Sequence, residues 1–283
     1  MENITSVDER DSASAVRAPF NYLAVMAAKP YNYTYTPLDG APLTNRRVAK
    51  ETVVVRNGRD NAERLTLDRE GFAFLRYPST MRDFYDDGEV RAVYYPECER
   101  LLREATGAAR VVVFDHIVRN AARSKAGEKA IKQPAAGVHN DYTLNSAPQR
   151  VRDFFPDTAG ALLQSRFAII NVWRPISGPV RESPLAVCDA QSLRLDDFVA
   201  SDLIYPNRRG ETYAVNYSPR HRWYYFPRMM PEEALLLKCY DTSEDGRARF
   251  TAHTAFIDPN SPPDAPARES IETRAFVFFA PSN

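Results

Sequence analysis

The chain has 283 residues, with 37 Lys+Arg against 37 Asp+Glu, so its formal net charge is zero. That balance argues against a general polyanion binder, because non-specific nucleic-acid affinity comes from clustered positive charge. Apolar residues make up 44% and charged residues 26%, a composition that excludes a disordered chain. Apolar runs such as Ala234-Leu235-Leu236-Leu237 are far too short to cross a bilayer, and the polar, acidic start Met1-Glu2-Asn3-Ile4 has no apolar h-region. Cys98, Cys188 and Cys239 form no C-x-x-C pair, which suits a reducing, cytoplasmic setting.

In chain order, residues 1–20 read as a flexible polar arm. Tyr31, Tyr33 and Tyr35 share parity, so an extended segment would lay them on one surface. Thr52-Val53-Val54-Val55 is predicted as a strand with a turn at 56–60, and 65–77 as a further extended piece. Residues 96–105 carry Leu101 and Leu102 among charges, with Gly107 after them: a short amphipathic helix with a glycine stop. Val111-Val112-Val113-Phe114 reads as a buried strand, and the basic stretch 120–134 as an exposed loop. Strands are then expected at 166–173, 184–188, 212–217, 223–226, 234–240, 250–256 and 270–279. With 21 prolines, 11 glycines and 15 each of Phe and Tyr, the pattern predicts a mainly β jelly roll or barrel. No linker divides it. One domain over 1–283 is expected, with a buttress at 21–110 and the core at 111–283. No G-x-G-x-x-G or P-loop motif is present.

Four histidines keep the metal question small: His116, His139, His221 and His253. In His139-Asn140-Asp141, positions i and i+2 face the same way on a strand, so imidazole and carboxylate can converge on one ion. A second imidazole from a distant strand would complete a 2-His-1-carboxylate triad with open positions for dioxygen. His253 lies in the alternating run Phe250-Thr251-Ala252-His253-Thr254-Ala255-Phe256, while His221 between Arg220 and Arg222 is the alternative third ligand. His116 reads as structural, or as lining the pocket with Arg119. Arg274, in the apolar run Ala275-Phe276-Val277-Phe278-Phe279, needs a carboxylate, and a dicarboxylate cosubstrate would supply one. Its other reading is an internal ion pair with Glu272 or a distant Asp. Arg268, with Ser270, is the rival anchor, and the two arginines would lie about 20 Å apart at roughly 3.3 Å per residue.

Several segments together resemble the Fe(II)/2-oxoglutarate-dependent oxygenases, and within them the hydroxylase/desaturase family of bacterial and fungal secondary metabolism. They include Phe114-Asp115-His116-Ile117-Val118-Arg119, His139-Asn140-Asp141-Tyr142-Thr143, Asn171-Val172-Trp173-Arg174-Pro175 and Arg268-Glu269-Ser270. The resemblance implies a double-stranded β-helix (a cupin-like jelly roll) with flanking helices and an N-terminal extension. It implies Fe(II) on His139, Asp141 and His253, and 2-oxoglutarate gripped by Arg274 or, second, Arg268. With O2, such a site hydroxylates, desaturates or cyclises a small-molecule natural-product intermediate. Tyr142, Trp173, Trp223, Tyr224 and Tyr225 are candidate pocket walls. No nucleic-acid or membrane partner is expected, and oligomeric state is not read. The competing expectations are a Zn(II) hydrolase or isomerase on the same ligands, and a silent barrel.

Overall fold

A computed structural model describes residues 14–280 other than 39 and 129. The first strands are β1 (Ala15–Leu23), β2 (Tyr31–Tyr33), β3 (Val48–Asn57), β4 (Phe72–Arg76) and β5 (Arg110–Asn120). Next come β6 (His139–Asn140), β7 (Phe167–Pro175), β8 (Leu185–Cys188), β9 (Phe198–Ile204) and β10 (Arg209–Val215). The last are β11 (Trp223–Tyr225), β12 (Glu233–Asp241), β13 (His253–Ala255) and β14 (Glu269–Phe278). They form two sheets, one ordered β1-β3-β11-β8-β13-β6-β10-β9-β2 and the other β4-β12-β7-β14-β5. The two sheets curl against each other as a jelly roll, in which a dozen short strands can wrap one interior.

Side-chain parity sorts each strand between two environments. Along β14, Phe276 and Phe278 join the interior cluster with Phe167, Ile169 and Trp173 of β7. Ala275 and Val277 instead pack on the outer face of the five-stranded sheet, beneath the helix Tyr95–Thr106. That helix starts with Pro96 in its first turn and ends at Gly107, whose φ of 67° is left-handed. Cys98, Leu101 and Leu102 are its buried stripe. A third cluster, with Phe20, Tyr22, Val55, Trp223 and Tyr225, covers the outer face of the nine-stranded sheet.

Three sequence expectations change. Part of the arm, Ala15–Leu23, is an edge strand paired antiparallel with β3; the rest of 1–13 lies outside the described residues. Its alternating run Val16, Ala18, Phe20, Tyr22 is buried, so a polar beginning hid a two-periodic strand. The stretch 120–134 holds a short helix, Ala121–Lys125, capped by the Asn120 side chain, and Ile131 is buried. The helix Ser146–Phe154 and strand β9 were not anticipated. Tyr31, Tyr33 and Tyr35 do meet in succession, edge to face, with ring centroids 5.6 and 5.5 Å apart. Among the described residues no helix is long and apolar enough to cross a membrane.

Candidate metal centre and cosubstrate site

The centre forms where β6 and β13 run side by side, with His139 directly paired to His253 across the ladder. Directly opposed side chains on one face of a sheet lie close together, and the imidazole centroids are 4.3 Å apart. Asp141, two residues after His139, turns back onto the same spot, its Oδ1 3.5 Å from His139 Nε2. One ligand atom from each of His139, Asp141 and His253 lies within 4.8 Å of the others.

Hydrogen bonds fix the tautomers. His139 Nδ1 is 2.8 Å from the Gly137 carbonyl and His253 Nδ1 is 3.0 Å from that of Thr251. A carbonyl only accepts, so both Nδ1 atoms carry the proton and both Nε2 lone pairs are left bare. Among the described residues the buried His253 Nε2 has no hydrogen-bond partner. A buried, unsatisfied nitrogen aimed at a carboxylate and a second bare nitrogen is the arrangement that a divalent ion satisfies. Burial, then the neighbouring His253 imidazole, pulls the His139 pKa down to about 3, so it presents a neutral lone pair. Burial alone would raise the Asp141 pKa. The Arg274 guanidinium, helped by both imidazoles and the Asn171 amide, outweighs it and holds the carboxyl well below its usual range.

Asp141 Oδ2 is held by Asn171 Nδ2 at 2.8 Å and Arg274 Nε at 3.0 Å, which leaves Oδ1 to the centre. Asn171 also donates to buried Glu272, which lies 4.0 Å from Arg119. This polar row runs through a strand, β7, in which every residue is buried. The sequence reading did not single out Asn171 as an orienting residue. Its signal was there: one amide in an otherwise apolar buried run needs partners.

Arg274 and Arg268 differ in what they already hold. Arg274 donates to Asp141 and, at 2.9 Å, to Asp115 on β5, so it makes an internal ion pair with distant aspartates. Arg268 is buried, donates Nη1 to the Ser183 carbonyl, and stacks 5.5 Å over Trp173. Among the described residues its Nε has no hydrogen-bond partner, and neither does the hydroxyl of Ser270 two residues on. Burial, then Arg119, lowers the Arg268 pKa to about 9, still protonated at neutral pH. A guanidinium edge and a hydroxyl are both donors, the kind of group that a carboxylate satisfies.

A cavity of about 320 Å³ opens beside His139, Asp141 and Arg274, with Tyr142 and Arg119 in its wall. Trp173 sits in the interior cluster under Arg268, and Tyr224 packs against that cluster near Phe72. Trp223 departs from the expected pocket wall. It faces the outer cluster and donates to the Tyr22 hydroxyl at 2.7 Å, because its parity on β11 is opposite to that of Tyr224; Tyr225 goes with it. His221 is equally distant from the centre's business, bonded to Tyr22 and to Asp197. His116 contacts the Tyr95 hydroxyl on the helix side, while Arg119 does line the cavity.

A jelly roll with a His-x-Asp…His centre defines a class, the non-haem Fe(II)/2-oxoglutarate-dependent oxygenases. A family model described as "Oxidoreductase/YMDC permease-like domain" matches residues 20–278. The hydroxylase/desaturase efuI of Hormonema carpetanum is 36% identical over 258 residues, covering 83% of this chain and 86% of that protein. The Fe(II)/2-oxoglutarate-dependent dioxygenase nvfI of Aspergillus novofumigatus is 33% identical over 254 residues, 87% of this chain and 90% of that one. Among solved structures, the iron and alpha-ketoglutarate-dependent endoperoxidase NvfI superposes with a TM-score of 0.85 at 27% identity, over 95% of this chain and 100% of that one. The chain belongs to this oxidoreductase family, in its hydroxylase/desaturase, Fe(II)/2-oxoglutarate-dependent branch.

Proposed function

We propose that His139, Asp141 and His253 hold Fe(II), that Arg268 and Ser270 receive the distal carboxylate of 2-oxoglutarate, and that a small organic molecule is oxidised in the adjoining cavity. The observation that carries this reading is the buried, partnerless His253 Nε2 facing the bare Nε2 of His139 and the free oxygen of Asp141. When bound, iron with 2-oxoglutarate supplies the dioxygen-dependent oxidation of a C–H bond.

The chain's own residues do the rest. Gly137 and Thr251 lock the imidazole tautomers, and Asn171 and Arg274 pin one oxygen of Asp141, so the donor set is preorganised. Arg268 offers a planar guanidinium edge and Ser270 a hydroxyl donor, the pairing that recognises a carboxylate. Trp173 roofs that subsite and limits water there. Tyr142 faces the cavity with its hydroxyl kept protonated, its pKa raised by burial, so it can donate to or pack on a substrate. The substrate is taken to be a small-molecule intermediate of natural-product biosynthesis, by likeness to the relatives' named activities. A cytoplasmic protein without nucleic-acid or membrane partners fits the balanced charge and free cysteines.

Anaerobic addition of Fe(II) and 2-oxoglutarate is expected to give a weak visible charge-transfer band, abolished by His139→Ala or Asp141→Ala. An undiminished band in both variants removes the metal assignment. Dioxygen-dependent succinate release separates this reading from a Zn(II) hydrolase on the same ligands.

A further inference from the structure

The cavity wall opposite the five-stranded sheet is made by the β9–β10 hairpin, where Ser201 pairs with Thr212 and Leu203 with Gly210. Thr212 adjoins Tyr213, which pairs with Asn140 between His139 and Asp141, so this wall begins at the centre itself. Arg46 lies across it. Its Nε and Nη2 both donate to the buried Ser201 hydroxyl, at 3.0 and 2.7 Å, and Nη2 reaches Thr212 Oγ1 at 3.4 Å.

Those contacts orient the guanidinium without neutralising it. Among the described residues Nη1 has no hydrogen-bond partner and no carboxylate comes within ion-pair distance of Arg46. The other cations of the cavity are accounted for. Arg274 pairs with Asp141 and Asp115, Arg150 lies 3.7 Å from Asp153, and Arg119 donates to the Gln133 carbonyl and faces Glu272. Arg208 is exposed and stacked 3.7 Å over Tyr205, where water screens it. Glu211, the acid on this wall, is already matched by Lys29 at 2.8 Å. Burial lowers the Arg46 pKa, and among the described residues no acidic group offsets that cost. A half-buried cation held by neutral hydroxyls in a cavity wall, with one donor left unpaired among the described residues, suits an anion that arrives from outside.

We propose that Arg46 recognises a carboxylate on the substrate, so that this enzyme takes organic acids anchored on the β9–β10 wall. The inference rests on the proposed function for the location of the substrate, and it names a substrate class and a specificity residue for it.

The test uses the full chain loaded anaerobically with Fe(II) and saturating 2-oxoglutarate, so that an added acid does not occupy the cosubstrate subsite. The probes are 2-naphthoate and its methyl ester, titrated calorimetrically. The carboxylate is expected to bind more tightly than the ester, and Arg46→Gln to weaken it by about 10- to 100-fold while leaving the ester unchanged. Arg208→Gln is expected to change the carboxylate affinity by less than about threefold. Ser201→Ala, which frees the guanidinium but keeps its charge, is expected to lose part of the preference, and it serves where Arg46→Gln does not fold. Equal affinity for acid and ester, no binding of either, or a preference that survives both variants overturns the proposal. The charge-transfer band is recorded in the same samples. If it forms while the preference is absent, only the Arg46 inference fails; if it never forms, the metal and cosubstrate reading fails first.

Discussion

Exchanging Arg274 of β14 and Arg268, the residue just before that strand, each for glutamine separates cosubstrate binding from support of the fold. Arg268→Gln removes a buried cation whose guanidinium has no carboxylate partner at hydrogen-bond distance among the described residues, where it contacts the Ser183 carbonyl and the Trp173 ring. Its loss strands no acid, so the melting temperature of the metal-free protein is expected to stay level or rise. The charge-assisted contact it makes to a carboxylate is worth about 1.5–3 kcal/mol, so KM for 2-oxoglutarate is expected to rise roughly 10- to 150-fold. Arg274→Gln does the reverse. It leaves Asp141, 12% exposed, without its ion-pair partner. Breaking a buried pair costs about 3–5 kcal/mol, and the lower end applies because Asp115, the second partner, is 39% exposed. At about 2–4 °C per kcal/mol, melting should fall by roughly 10 °C. Initial-rate succinate release against 2-oxoglutarate concentration, with thermal melts of the same samples, reads both effects. If Arg274→Gln raises KM while Arg268→Gln leaves it within about twofold, the cosubstrate sits on Arg274 and the assignment made from unpartnered donors is wrong.

Three further outcomes follow from the same geometry. His253→Ala should abolish Fe(II) binding, followed by the charge-transfer band, whereas His221→Ala should keep the band and lose stability through the freed Asp197 and Tyr22; the opposite pattern exchanges their roles. Gly71 has a φ of +83°, and a Cβ there would stand 2.2 Å from the Thr251 hydroxyl, so Gly71→Ala should cost about 3 kcal/mol in a denaturant titration. Because Thr251 also holds His253 Nδ1, that variant should bind Fe(II) less tightly as well, and unchanged affinity would count against the coupling. Burial lowers the pKa of His116, His139 and His221 in the folded state. The unfolded chain therefore takes up protons first as pH falls through about 6.5, so stability of the metal-free protein is full above that value and lost below it. The slope approaches about 1.4 kcal/mol per pH unit for each group, and melts that are flat between pH 7 and 5 would refute it.

Apolar patterning alone determined much of this protein. The runs at 166–173, 234–240 and 270–279 are strands because short, nearly continuous apolar runs can be buried on both faces of a sheet, and the helix before Gly107 follows from its stripe and its stop. His139 and Asp141 could be paired from spacing, since an extended backbone turns i and i+2 to one side. Tertiary structure decided what spacing does not contain: which distant strand lies beside that pair, and which polar groups are already satisfied. His253 faces His139 because β13 docks on β6 in that register, and β6 is only two residues long, too short to announce itself. Arg274 and Arg268 share a parity and differ only in their neighbours, Asp141 and Asp115 for one, a carbonyl and an indole for the other. Ion pairing is a property of separation in space, and residues 115, 141 and 274 meet only after the two sheets close.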